Sequence, residues 1–224
     1  MPNITSILHR DNPEKEPLVG NIKVTREDWL NVALDMLISD GVEKVKVLSL
    51  AERLDVSRSS FYWYFKSRQE LLDSLLDRWE ATNTAAIVNQ IKAPAQTITQ
   101  ACFNFFKCFV APDLFNSALD FAVRDWAKRS GKVRRILDLS DQTRITAIEE
   151  VFLKFGYGET DALTRARILY YMQIGYNAAE LNEPLDARLA LTSSYIVGFT
   201  GQVPSDEEHQ QFIEYAKAIE GKKS

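Results

Sequence analysis

Five consecutive rings, Phe61, Tyr62, Trp63, Tyr64 and Phe65, stand between Arg58 on one side and Lys66 and Arg68 on the other. Ser57, Ser59 and Ser60 lead into the run, and no acid follows it until Glu70. Fixed cations beside phenols and hydroxyls are the groups that meet phosphate: the cations neutralise it and the O–H groups donate to its oxygens. Helical spacing sorts the rings. Phe61 and Phe65 lie four apart on one face, which can close a small core with Leu50, Leu54 and Val56. Tyr62, Trp63 and Tyr64 are then left partly or wholly outside. Large rings exposed in a row mark a contact surface. Ser67 and Arg68 open the next helix, whose free N–H groups and positive dipole end add to the same phosphate-facing surface.

Positioning these groups requires short helices. Thr25 and Asp28 form a capping-box pair at the start of the first, with Trp29, Ala33, Leu34, Leu37 and Ile38 along one face. Gly41 is expected to end it as a left-handed cap. A second helix runs from about Val47 to Leu54. The turn "DVS" follows, and Ser57 is placed to cap a third helix over 58–65. A fourth begins at Ser67 and runs to about Ile91. Two short helices across a tight turn, steadied by a preceding helix, make a helix-turn-helix whose second member enters the major groove.

The stretch "LSLAERLDVSRSSFYWYFKSRQELL" resembles the DNA-binding signature of the tetracycline-repressor (TetR) family of transcriptional regulators. The resemblance covers residues 25 to about 72. It is carried by Thr25, Ala33, Gly41, Leu50-Ala51, Val56-Ser57 and the pattern Tyr62, Phe65, Lys66, Ser67, Leu71. It implies double-stranded DNA as a partner, with Thr25, Ser57, Arg58, Ser59 and Ser60 at the interface. Tyr62, Tyr64 and Lys66 match phosphate-contacting positions, Trp63 a base or backbone contact, and Arg68 joins the basic rim. Two positions depart from the pattern. Asp55 replaces the usual turn glycine, although Asp tolerates a left-handed backbone better than most residues. Lys46 stands where a small hydroxyl residue commonly begins the second helix, which weakens that cap and adds a cation for phosphate.

The resemblance further implies an all-α homodimer with a helical effector-binding domain, a small-molecule effector and a palindromic operator. The organisation expected is an arm over 1–21, a DNA-binding domain over 22–70 and a ligand-binding and dimerisation domain over 71–224. Among 224 residues, 46% are hydrophobic and 26% charged, with a net charge of −4, an ordinary globular balance. That charge gives no global sign of nucleic-acid binding, yet a small basic face can sit on an acidic body. Cys102 and Cys108, six apart in an apolar stretch, fit no common zinc or redox spacing and read as reduced, buried thiols. Neither a signal segment nor a membrane span of about 20 apolar residues is visible, so a cytoplasmic location is expected. The histidines are His9 and His209, and no phosphate loop, metal-ligand cluster or nucleophile–base pair accompanies them. No catalysis, metal or cofactor is expected. The alternative to a DNA-binding regulator is a helical adaptor that offers its exposed rings to a protein.

Later helices, over 95–110, 113–129 and 132–155, each show an apolar stripe. Asp125, Arg144 and Arg167 fall on or beside such stripes, where an unpaired charge costs several kcal/mol or more. Two readings follow. Internal ion pairs, Arg144 with Asp125, fix the packing. Otherwise these charges line a pocket for a polar or anionic effector, with Phe105, Trp126, Tyr170 and Asn177 as walls. The helix over 159–181 carries the small residues Gly175, Ala178 and Ala179 and is assigned to the dimer seam, with 193–200 or 206–220 beside it.

Overall fold

A computed structural model describes residues 24–179, 181 and 183–221. The arm expected over 1–21 lies outside the described residues. Among these, helices and turns carry the chain and no strand occurs. Two compact units divide between Leu75 and Leu76.

In the first unit, α1 (Arg26–Asp40) begins with a full capping box: Thr25 Oγ1 accepts from the Asp28 N–H, and the Asp28 carboxylate accepts from the Thr25 N–H. Gly41 ends the helix differently from the expected left-handed cap. Its φ of 80° and ψ of 167° give a positive-φ but extended turn, which feeds a 3-10 turn at Val42–Lys44. Then come α2 (Val47–Arg53) and α3 (Arg58–Phe61). The latter is shorter than the 58–65 expected. Beyond Phe61 the N–H groups of Tyr62, Trp63 and Tyr64 reach back three residues, to Ser59, Ser60 and Phe61, so the helix tightens rather than stops. Phe61 and Phe65 are fully buried, and Phe61 meets Trp29 edge-on at 5.3 Å between centroids. With Leu37, Leu50, Ala51 and Leu71 they form the core of this unit.

α4 (Arg68–Trp79) begins the run expected to be unbroken to Ile91. A π turn at Glu80–Thr84 interrupts it before α5 (Ala85–Ile91). The second unit continues with α6 (Ile98–Val110), α7 (Ser117–Ala127), α8 (Gly131–Lys154), α9 (Glu159–Ala178), α10 (Leu185–Thr200) and α11 (Asp206–Glu220). α10 starts well before the expected residue 193. α8 packs against α5, α6, α7 and α9. Phe105, Ile148, Phe152 and Leu169 lie fully buried in one apolar cluster.

Beside that cluster sits a buried ionic network. Asp120 Oδ1 accepts from Trp79 Nε1 and Arg144 Nη1, both at 2.9 Å, while its Oδ2 accepts from Arg124 Nε at 2.9 Å. Arg124 turns its other two nitrogens on Asp141, at 3.0 and 2.7 Å. Tyr170 donates to Asp141 at 2.6 Å and accepts from both arginines. Arg144 Nε and Nη2 share Thr84 Oγ1, in the π turn. Ser140 donates to Glu80 at 3.0 Å, and Asn83 Nδ2 donates to the Asn116 carbonyl at 2.8 Å. The π turn is thus held to α7 and α8 from several sides, a common setting for an inserted residue.

Arg144 therefore pairs with Asp120 and not with Asp125. Asp125 lies five positions further along α7, about 140° round the helix at ~100° per residue. It faces outward to Lys128 and Arg129 at 3.4 and 3.8 Å.

Replacing Arg144 with Met should strand much of the Asp120 charge and lower stability by about 3–5 kcal/mol, read from thermal or denaturant unfolding. Burial alone would raise the Asp120 pKa, but Arg144 and Arg124 outweigh it and hold the carboxylate below its ordinary 3.8. A depressed carboxylate stabilises above its unfolded pKa. The contribution should persist above about pH 4 and fall away as pH drops through the lower folded value, and unfolding midpoints across an acid series should show this loss in wild type and not in Asp120→Asn.

Candidate functional site

The charged and aromatic face foreseen around residues 57–68 takes shape in the first unit. Burying Phe61 and Phe65 turns Tyr62 and Trp63 outward, to 49% and 78% exposure. Arg58 is exposed and its Nη2 lies 3.3 Å from the Tyr62 hydroxyl. Lys66, Ser57 and Ser59 are exposed as well, the two serine hydroxyls 2.9 Å apart. Ser57 occupies the N-cap position of α3 without making the cap bond expected of it, whereas Ser67 does accept from the Glu70 N–H at 3.2 Å. Ser60, half-buried, donates back to the Ser57 carbonyl at 2.7 Å.

Other residues of the expected set have different surroundings. Tyr64 is half-buried and donates to the Val24 carbonyl at 2.7 Å, so its proton is already spent on the chain entering α1. Thr25 is exposed, with its hydroxyl bound up in the capping box. Lys46 is exposed and makes no side-chain cap, leaving its ammonium to solvent. Arg68 departs most. Its Nε and Nη2 donate to the carbonyls of Val45 and Val42 at 2.5 and 2.6 Å, which draws the guanidinium onto the 3-10 turn and off the outer face. Lys44, two before Lys46 and equally exposed, was not singled out from the sequence. Its charge next to another lysine was the available signal.

Asp55 sits at φ 55°, the left-handed region, and the next N–H returns to the Ala51 carbonyl at 3.0 Å. The turn between α2 and α3 therefore has the backbone that a glycine would give, carried by one of the few side chains that tolerate it.

The residues proposed to hold an effector do not gather. Arg144 and Tyr170 are core members of the ionic network, and Phe105 lies in the apolar core. Trp126 is buried on α7, Asp125 pairs on the surface, and Arg167 is exposed with its guanidinium over Tyr171 at 5.3 Å. Asn177 comes nearest to a concave site, accepting from Gln173 Nε2 at 2.9 Å. Gln173 does line an open pocket between α6, α9, α10 and α11. Phe106, Phe109, Met172, Leu189 and Phe212 form its apolar wall, with Tyr176, Glu183 and Arg188 as polar members. The sequence signal for it was Arg188, the one cation of α10, among leucines and alanines of its first half. Cys102 and Cys108 are buried thiols, each pushed up to about 12 by desolvation, and neither is a poised nucleophile.

Residues 30–75 match the model of bacterial regulatory proteins, tetR family. Over 55 residues the chain is 40% identical to the class C tetracycline repressor protein of Escherichia coli, a quarter of each chain. Over 168 residues it is 23% identical to an HTH-type transcriptional regulator of Saccharopolyspora erythraea, covering 75% of this chain and 65% of that one. The chain thus spans less than two thirds of either relative. A solved transcriptional regulator from Rhodococcus sp. Rha1 shares the fold, with a TM-score of 0.53 at 19% identity over 88% of this chain and 96% of that one.

The different settings of Arg68 and Lys66 lead to opposite expectations. Arg68→Met should leave the Val45 carbonyl without its side-chain donor and the Val42 carbonyl with the Val45 N–H alone, and cost about 1–3 kcal/mol in denaturant unfolding. Lys66→Ala, on an exposed side chain, should stay within about 0.5 kcal/mol of wild type.

Proposed function

We propose that this chain, whose residues 30–75 match the model of the tetR family of bacterial regulatory proteins, is a tetR-family, sequence-specific regulator of transcription that binds double-stranded DNA as a homodimer in the cytoplasm and responds to a small-molecule effector. One observation carries the DNA-binding reading: two rings of the aromatic run are sunk in the core while Tyr62 and Trp63 stand out beside Arg58 and Lys66. Such a surface is costly to leave in water and suits a groove lined by phosphate. Lys66, Tyr62 and the flanking Lys44 and Lys46 are the phosphate-contacting set. Arg58, Ser59 and Trp63 are the base-reading set. Asp55 shapes the turn that presents them, and Tyr64 and Arg68 hold the frame.

A second observation supports the homodimer. Ile168 and Tyr171 of α9 and Leu191, Tyr195 and Val197 of α10 are all more than a third exposed. Gly175 and Gly198 lie on the same helices, and a Cβ at either would meet nothing within 4 Å. Apolar side chains next to bare backbone suit close helix packing across a two-fold axis. We assign the seam to α9 and α10, and the cover role to α11. A dimer presents two recognition helices, so the operator has two-fold symmetric half-sites. Effector binding acts by favouring one spacing of those helices over another.

Binding to unselected DNA across a salt series tests the reading. Wild type should show a steep loss of affinity with salt, and Lys66→Ala should lower the slope by about 1 while weakening every sequence alike. Arg58→Ala should change the consensus recovered by operator selection, at a cost of about 1–3 kcal/mol on the wild-type site. Absence of DNA binding, with capture of a protein partner through the aromatic helix, would favour an adaptor. Gly175→Leu should convert dimer to monomer in light scattering while keeping the helical spectrum, because the added side chain finds open space within one chain.

A further inference from the structure

We propose that the pocket between α6, α9, α10 and α11 is the effector site and that its ligand is an amphipathic monoanion, an apolar body carrying one carboxylate, with Arg188 as the counter-charge. This rests on the regulator reading above and names the ligand class for it. Three features of the pocket lead there.

The first is its wall. Phe106, Phe109, Met172, Leu189 and Phe212 leave most of the lining without a polar group. Such a surface recognises an apolar body and rejects a sugar, nucleotide or polyamine, whose many polar groups would lose water without replacement. The second is how its charges are occupied. The Glu183 carboxylate already accepts a 2.6 Å hydrogen bond from the Tyr176 hydroxyl. The Arg188 guanidinium lies over the Tyr176 ring at 5.6 Å and has no carboxylate within 4.0 Å among the described residues. Arg124 and Arg144 differ in this respect, since each has every guanidinium nitrogen hydrogen-bonded. Arg188 is thus a half-buried planar cation whose fork of donors has no hydrogen-bond partner among the described residues, the group best matched to a carboxylate. An ammonium ligand would face that guanidinium and compete with a phenol for Glu183.

The third feature links the pocket to assembly. Leu191 and Tyr195 line it and are also 47% and 41% exposed on α10, within the proposed seam. A ligand body in the pocket and a partner chain would touch the same two side chains. Occupancy can therefore favour one arrangement of the seam over another, which is the differential affinity that a ligand response requires.

The test uses the full chain and three probes of one shape: decanoate, decanol and decylamine, titrated calorimetrically below their micelle-forming concentrations. Decanoate should bind wild type about tenfold or more tighter than decanol, with decylamine weakest, as a charge-assisted pair implies. Arg188→Met should erase the preference for decanoate and leave decanol affinity unchanged. Leu189→Trp, which fills the pocket, should remove binding of both. Decylamine as the tightest probe, decanoate binding unaltered by Arg188→Met, or no binding of any probe to folded wild type would each overturn the proposal. DNA affinity measured in parallel keeps the two readings apart. DNA binding without decanoate binding sinks the pocket assignment alone, and decanoate binding without DNA binding sinks the regulator reading. With both present, decanoate should shift the DNA affinity of wild type and not that of Arg188→Met.

Discussion

The Asp120–Arg144 ion pair is the contact on which the second unit depends. Two charges taken from water are tolerated only when each finds its full set of partners. Here the carboxylate meets Trp79, Arg144 and Arg124, and the guanidinium meets Asp120, Tyr170 and Thr84. These groups come from α4, the π turn, α7, α8 and α9. The requirement that none be left unpaired sets the mutual positions of five parts of the chain, with α5 and α6 intervening between the π turn and α7. Apolar contacts alone would permit sliding, because they are not directional. The π turn is part of the same solution. One extra residue between α4 and α5 lets Thr84 face Arg144 while Asn83 reaches the start of α7.

Each unit uses arginine in two contrasting ways. Arg124, Arg144 and Arg68 are frame-building residues whose donors are consumed by carboxylates or backbone carbonyls. Arg58 and Arg188 keep donors free at a surface and in a pocket. That division, and not the number of cations, separates packing from recognition. It explains how a chain of net charge −4 can still offer a local cationic face, since charges that matter for a partner are those not already neutralised within the fold.

Around the aromatic run the same economy applies to rings. Phe61 and Phe65 have no polar atom and can be buried without further requirement, and both sit at or near zero exposure. Tyr64 can be half-buried because its hydroxyl finds the Val24 carbonyl. The Tyr62 hydroxyl meets the exposed Arg58 and not the chain within, and Tyr62 and Trp63 remain outside. The left-handed Asp55 makes the sharp turn that brings this short helix to the surface at all.

Much of this was legible in the residue string. The capping box at Thr25, the four-residue spacing of Phe61 and Phe65, the helical period throughout and the tetR-type signature all depend on neighbours within a few positions, where chemistry and spacing leave few alternatives. The ends of helices were less legible. Gly41 was expected in a left-handed cap and takes an extended turn, and α3 tightens after Phe61, because those details answer to the next packed segment. Partnership across the fold was not legible. Arg144 needed a carboxylate, but whether Asp120 or Asp125 supplied it turned on which side of α7 faces α8. Arg68 looked like part of a phosphate-facing rim until two carbonyls of the 3-10 turn claimed it. The pocket around Arg188 has walls from four helices spread over about half the chain, and no local pattern marks their convergence. Residue type and spacing determine which groups can bind or must be satisfied. Only the packed chain decides which of them are, because a buried charge takes its partner from whatever tertiary contact brings within reach.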